Sequence, residues 1–93
     1  MSRGYDFWVK LTDNSDLTGA VIPGQSIVEI SGDRRVLIEN HYGVSQYSQE
    51  KIGVKVKFGY VCVCGCGLEL VRMTKEQLVI AGRIDSVNLI RRG

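Results

Sequence analysis

The sequence predicts a small all-β domain of mainly antiparallel strands, on three observations. Between Ile27 and Ile90 apolar and polar residues alternate at nearly every second position, the spacing of strands with one buried face. Glycines and short polar clusters cut that run at intervals of roughly 8–10 residues, the beat of sandwiches, rolls and small barrels. After Ser26 no stretch carries an apolar stripe of helical period long enough for a helix. The short connections favour antiparallel neighbours, because parallel strands need long crossovers. The expectation is about eight short strands forming a sandwich, roll or curled sheet.

Taken in order, the first dozen residues fit two readings. Tyr5, Phe7, Val9 and Leu11 alternate with Asp6, Trp8, Lys10 and Thr12 as in a strand, yet two turns of helix would bury Phe7, Trp8 and Leu11. Asp13-Asn14-Ser15-Asp16 reads as a turn or helix N-cap, since these side chains satisfy nearby backbone amides. Residues 17–25, with two glycines and Pro23, read as a connector. Residues 1–25 are thus an N-terminal segment and connector, and residues 26–93 the β domain.

Strands are predicted at 27–31, 36–40, 44–47, 52–58, 61–64, 68–72, 78–81 and 84–90. Gly32-Asp33-Arg34 turns the first into the second, with Gly32 supplying positive φ. His41-Tyr42-Gly43 leads into the third. In 52–58, Ile52, Val54, Val56 and Phe58 face inward while Lys55 and Lys57 face out, and Gly59-Tyr60 follows as a turn. Thr74-Lys75-Glu76-Gln77 is a polar turn. Glycines at 43, 53, 59, 65, 67 and 82 permit the bulges that curve a sheet.

The bulk properties bound the class. The chain has 93 residues, enough for one modest core, and a net charge of +2, too small to imply nucleic acid or an anionic membrane. No run approaches the roughly 18–20 apolar residues of a membrane span, and Asp6, Lys10 and Asp13 interrupt any secretory h-region. The expectation is a cytoplasmic protein, and the odd cysteine count agrees with free thiols.

Candidate chemistry is sparse. Cys62, Cys64 and Cys66 lie at alternate strand positions, but closed zinc sites take four ligands, commonly as Cys-x₂₋₄-Cys pairs, and only His41 would add a fourth. The cysteines read instead as small apolar residues on a strand face. His41 has no patterned nucleophile, the glutamates form no pair, and Gly65-Cys66-Gly67 lacks the Lys-Ser/Thr and helix of a phosphate loop. No enzyme and no cofactor is expected. Lys51, Lys55, Lys57, Arg34, Arg35, Arg83, Arg91 and Arg92 with Tyr42, Tyr47 and Tyr60 leave one alternative, a small β-barrel binding single-stranded nucleic acid. Interleaved acidic residues favour a solvated mixed-charge face over it. Val71, Val79 and Tyr60 on an outer face would provide apolar area for self-association or a protein partner.

The order of elements resembles the YabP/YqfC family of sporulation proteins of endospore-forming bacteria. The resemblance runs through Ile27-Val28-Glu29-Ile30-Ser31-Gly32 and Val36-Leu37-Ile38-Glu39-Asn40-His41-Tyr42-Gly43, which is similar to the family's Ile-Glu-Asn-His-x-Gly signature. It continues through Tyr47-Ser48, a strand led by Gly59, Gly65-x-x-Leu68-Glu69-Leu70 and the Met73-to-Gln77 turn, and closes on Leu78-x-Ile80-x-Gly82-x-Ile84. Asp16-Leu17 looks like the start of the YqfC-like branch, although Gly19, Ile22-Pro23 and Gly24 replace that branch's leucine- and proline-rich stretch. The cysteines fall on positions the family does not keep as cysteine.

The resemblance implies a non-enzymatic mother-cell protein of spore envelope assembly, placed in the cytoplasm or at the spore envelope surface. It would act through protein partners, some of them sporulation membrane proteins, or as a homo-oligomer, with no nucleic acid and no membrane insertion. Glu39, Asn40, His41, Tyr42 and Gly43 then form the candidate structural or recognition turn. The turn-forming chemistry of Asn and Gly favours the structural role; recognition is the alternative, because loops held by a rigid sheet carry binding.

Overall fold

A computed structural model describes residues 24–92. The readings for residues 1–23, including the strand or helix at 5–12 and the cap at 13–16, lie outside the described residues. Six strands follow one another: β1 (Ile27–Ser31), β2 (Arg35–Glu39), β3 (Val44–Tyr47), β4 (Lys51–Val56), β5 (Gly59–Met73) and β6 (Gln77–Arg91). They form one antiparallel sheet in the order β1-β2-β6-β5-β4-β3. The predicted all-β antiparallel class is the one observed, as an open curled sheet.

The number of strands differs from the expected eight. β5 contains both predicted pieces 61–64 and 68–72, and β6 both 78–81 and 84–90. What reads as a turn in the sequence is a bulge inside a continuous strand. β6 carries Asp85 as an extra residue between Ile84 and Ser86, and β5 carries an extra residue between Cys66 and Glu69. Each bulge reverses which parity faces inward. In β5 the buried side chains pass from Val61 and Val63 to Leu68; in β6 they pass from Leu78, Ile80 and Ile84 to the partly buried Val87.

β4 ends at Val56, so the turn falls at Lys57-Phe58 and not at Gly59-Tyr60; Val56 pairs with Gly59, the first residue of β5. Phe58 therefore packs against the core from a turn, not from a strand. Val79 is also not on an exposed face. It lies on a central stretch of β6 between Leu37 and Arg72 and is buried, whereas Val71 and Tyr60 are exposed.

The sheet curls onto its own core. Ten side chains have no exposed surface: Val36 and Ile38 of β2, Ile52, Val54 and Val56 of β4, Val61, Val63 and Leu68 of β5, and Leu78 and Ile80 of β6. β2 and β4 are separated in the sheet by β6 and β5, yet their residues share one cluster. Only a folded-over sheet brings those inner faces together. Each such side chain contributes about 1.5–3 kcal/mol of transfer free energy, which makes this cluster the main stabilising term.

Candidate functional site

The Glu39–Gly43 turn begins where β2 leaves the ladder. Asn40 takes a φ of 60°, the one positive value at a non-glycine among the described residues. Asn tolerates this left-handed region better than most residues, because its short side chain bonds locally. The turn aims the chain from β2 across to β4.

The residues of the turn then fasten three segments: the β5–β6 turn, the end of β4 and the approach to β1. The Asn40 backbone N–H donates to the Glu76 carbonyl at 2.6 Å, and Asn40 Nδ2 donates to the Gln25 carbonyl at 2.7 Å. Ser26 Oγ donates to the Asn40 carbonyl at 2.9 Å and accepts the Lys57 N–H at 3.1 Å. Glu39 Oε2 accepts Gln77 Nε2 at 3.0 Å. The Tyr42 N–H donates to the Lys55 carbonyl, and the Lys55 N–H donates to the Gly43 carbonyl, both at 2.8 Å.

His41 is 7% exposed. Its Nε2 lies 2.9 Å from the Thr74 carbonyl, and its Nδ1 accepts the Gly43 N–H at 3.0 Å. A carbonyl only accepts and an amide N–H only donates, so the hydrogen bonds assign the neutral tautomer with its proton on Nε2. The five residues thus join β2, the approach to β1, the end of β4 and the β5–β6 turn. The Tyr42 side chain is exposed beside a shallow cleft of about 370 Å³ lined by Gly24, Asn40, His41, Tyr42, Lys75 and Glu76.

Sequence reasoning missed Ser26 and Thr74, the partners of this turn. Thr74 does carry a local signal: its Oγ1 accepts the Glu76 and Gln77 N–H groups at 3.3 and 2.9 Å. Nothing local marks its carbonyl as the partner of a histidine 33 residues away.

The cysteines stand on the outer face of β5 and are all free, with Cys62 buried, Cys64 half-buried and Cys66 exposed. His41 has both ring nitrogens engaged, and among the described residues no group of three or more His, Cys, Asp or Glu side chains converges as metal ligands. Burial pushes the Cys62 thiol up from its ordinary value, with the neighbouring Cys64 adding to the effect and Lys51 opposing it. Timed alkylation of the native protein near pH 8 is expected to label Cys66 first, Cys64 next and Cys62 last. Peptide mass spectrometry checks the order, and early labelling of Cys62 would contradict its burial.

The tyrosines do not form one platform. Tyr47 pairs with Ile52 and lies on that residue's face, Tyr60 sits opposite Lys55 on the other face, and Tyr42 belongs to the turn. Stacking of successive bases needs aromatics along one groove.

The YabP family model matches residues 23–93, a span that contains all six strands. No curated protein and no solved structure matches the chain.

Proposed function

The chain belongs to the YabP family, and from that membership we propose that it is a non-enzymatic sporulation protein of spore envelope assembly. The YabP family is associated with sporulation and is not a known enzyme family. The family match carries this reading. It is supported by the use made of the signature residues: the polar groups of Asn40 and His41 are spent on internal hydrogen bonds. The Glu39–Gly43 turn acts as a fastener that shapes the sheet. Action comes from surfaces the sheet displays, through self-association or a protein partner such as a sporulation membrane protein. Ile30, Tyr47, Tyr60, Val71, Met73, Leu89 and Ile90 are exposed and apolar enough for that work.

Among the described residues no helix is long and apolar enough to cross a membrane. Deleting the gene in its sporulating host is expected to lower the yield of heat-resistant spores, with restoration by the intact gene. A fluorescent fusion is expected to gather at the developing spore. Full spore yield together with diffuse fluorescence would overturn the proposal.

A further inference from the structure

Cys62 and Cys64 stand two residues apart on the outer face of β5, with β4 on one side and β6 on the other. Lys51 of β4 and Ser86 of β6 lie directly across from Cys64, and Gly53 and Asn88 directly across from Cys62. The pair is therefore flanked by one cation, two neutral polar residues and a glycine. No carboxylate or imidazole is among these cross-strand neighbours. Cys62 is 6% exposed and Cys64 half-buried, so solvent reaches the pair through Cys64. The Cys64 thiol and the Lys51 ammonium are both near enough to act on the ionisation of Cys62.

Distance decides what such a pair can do. Same-face neighbours on a strand are about 6.5 Å apart along its axis, and their Cβ atoms nearly as far. A disulfide needs Cβ atoms roughly 3.5–4.5 Å apart, so the pair does not close one while β5 stays extended. A two-coordinate metal inserts two metal–sulfur bonds of about 2.3 Å each, the length found in zinc thiolates, and so spans roughly 4.5 Å between sulfurs. Two side chains leaning toward each other from these positions match that span. Zinc asks for four ligands, and among the described residues no third His, Cys, Asp or Glu converges on the pair. Soft thiolates without a hard oxygen ligand select cuprous copper, which accepts two.

We propose that Cys62 and Cys64 hold one cuprous ion between their sulfurs, with Lys51 as its counter-charge. Two S–H bonds break, two copper–sulfur bonds form, two protons pass to solvent, and the copper stays in the +1 state. The bis-thiolate complex carries one negative charge, and the Lys51 ammonium across from Cys64 faces it. Cys66 takes no part. It pairs with Arg83 on the far side of the register shift between Cys64 and Gly65. The site is independent of the assembly role proposed above.

Anaerobic titration of the full chain with Cu(I), against a chromophoric chelator, is expected to show one equivalent bound. Cys62→Ala and Cys64→Ala should each lose it, and Cys66→Ala should keep it. Lys51→Gln is expected to weaken it about twofold to fivefold, the scale of an exposed ion pair. Alkylation of the copper-loaded, unsubstituted chain supplies a readout that needs no variant to fold. Cys66 should label as in the copper-free protein, while Cys64 is protected. Zn(II) at equal concentration should not displace the copper. No copper held against the chelator, binding that survives Cys64→Ala or vanishes with Cys66→Ala, unprotected Cys64, or zinc held as tightly would each overturn the site. An affinity indifferent to Lys51→Gln would overturn the counter-charge.

Discussion

Replacing His41 with alanine is expected to destabilise the fold by about 3 kcal/mol, the sum of two stranded polar groups and a small cavity. The ring is nearly fully buried and satisfies the Gly43 N–H with one nitrogen and the Thr74 carbonyl with the other. Alanine leaves both without a partner, and an unsatisfied buried group costs roughly 1–3 kcal/mol. For a domain of this size the loss corresponds to a fall in Tm on the order of 12–24 °C.

Two conservative changes divide the effect. Asparagine places its amide near the position of Nδ1 and can accept the Gly43 N–H but not reach Thr74. Glutamine reaches Thr74 and abandons Gly43. Each is expected to cost about half as much as alanine, since one bond is kept. Urea denaturation of the three variants measures this. A loss under roughly 0.5 kcal/mol for alanine would mean that the ring is not what holds the β5–β6 turn to the β2–β3 connection.

The second large effect is expected at Gly82. Its φ is +140°, and a Cβ there would lie 2.6 Å from the Gly67 carbonyl oxygen and 3.0 Å from the Leu68 Cα. Both are backbone atoms at the β5 bulge, so no side-chain rotation relieves the clash. Gly82→Ala is expected to cost about 3 kcal/mol or more, combining conformational strain with displacement of the strand.

Gly67→Ala is the internal control. It has a φ of +62° but nothing within 4 Å of the added carbon. Alanine there meets only the left-handed penalty, roughly 1–2 kcal/mol. Equal losses for the two variants would refute the close approach of β5 and β6. Gly65 makes the same point from the facing strand, because its added carbon would run into the Arg83 carbonyl.

These two sites show how unevenly the molecule can be read from its sequence. Asn40 and Gly43 announce a turn by residue type alone, as Gly32 does, because only a few residues tolerate positive φ. His41 is legible as a turn residue bonding local backbone, as its Nδ1 does with the Gly43 N–H, but its burial and its second bond are not. Its partner carbonyl on Thr74 is brought near only when β6 pairs with β2. Gly82 was legible as a place where a strand could bend, but the reason for a glycine there is the Gly67 backbone, which comes from the other arm of the hairpin.

The same division holds for the whole fold. The sequence by itself determined an all-β antiparallel domain, the inward face of β4, and the turns at Gly32 and Asn40–Gly43. Period-two alternation and turn chemistry are local properties, written within a few residues of where they act. Only the tertiary structure decided that eight apparent strands are six, that Phe58 belongs to a turn, and that Val79 is covered. Bulges, strand order and free edges depend on which strand lies alongside. That choice is made by the joint burial of β2, β4, β5 and β6 in one core, a long-range term that local alternation does not contain.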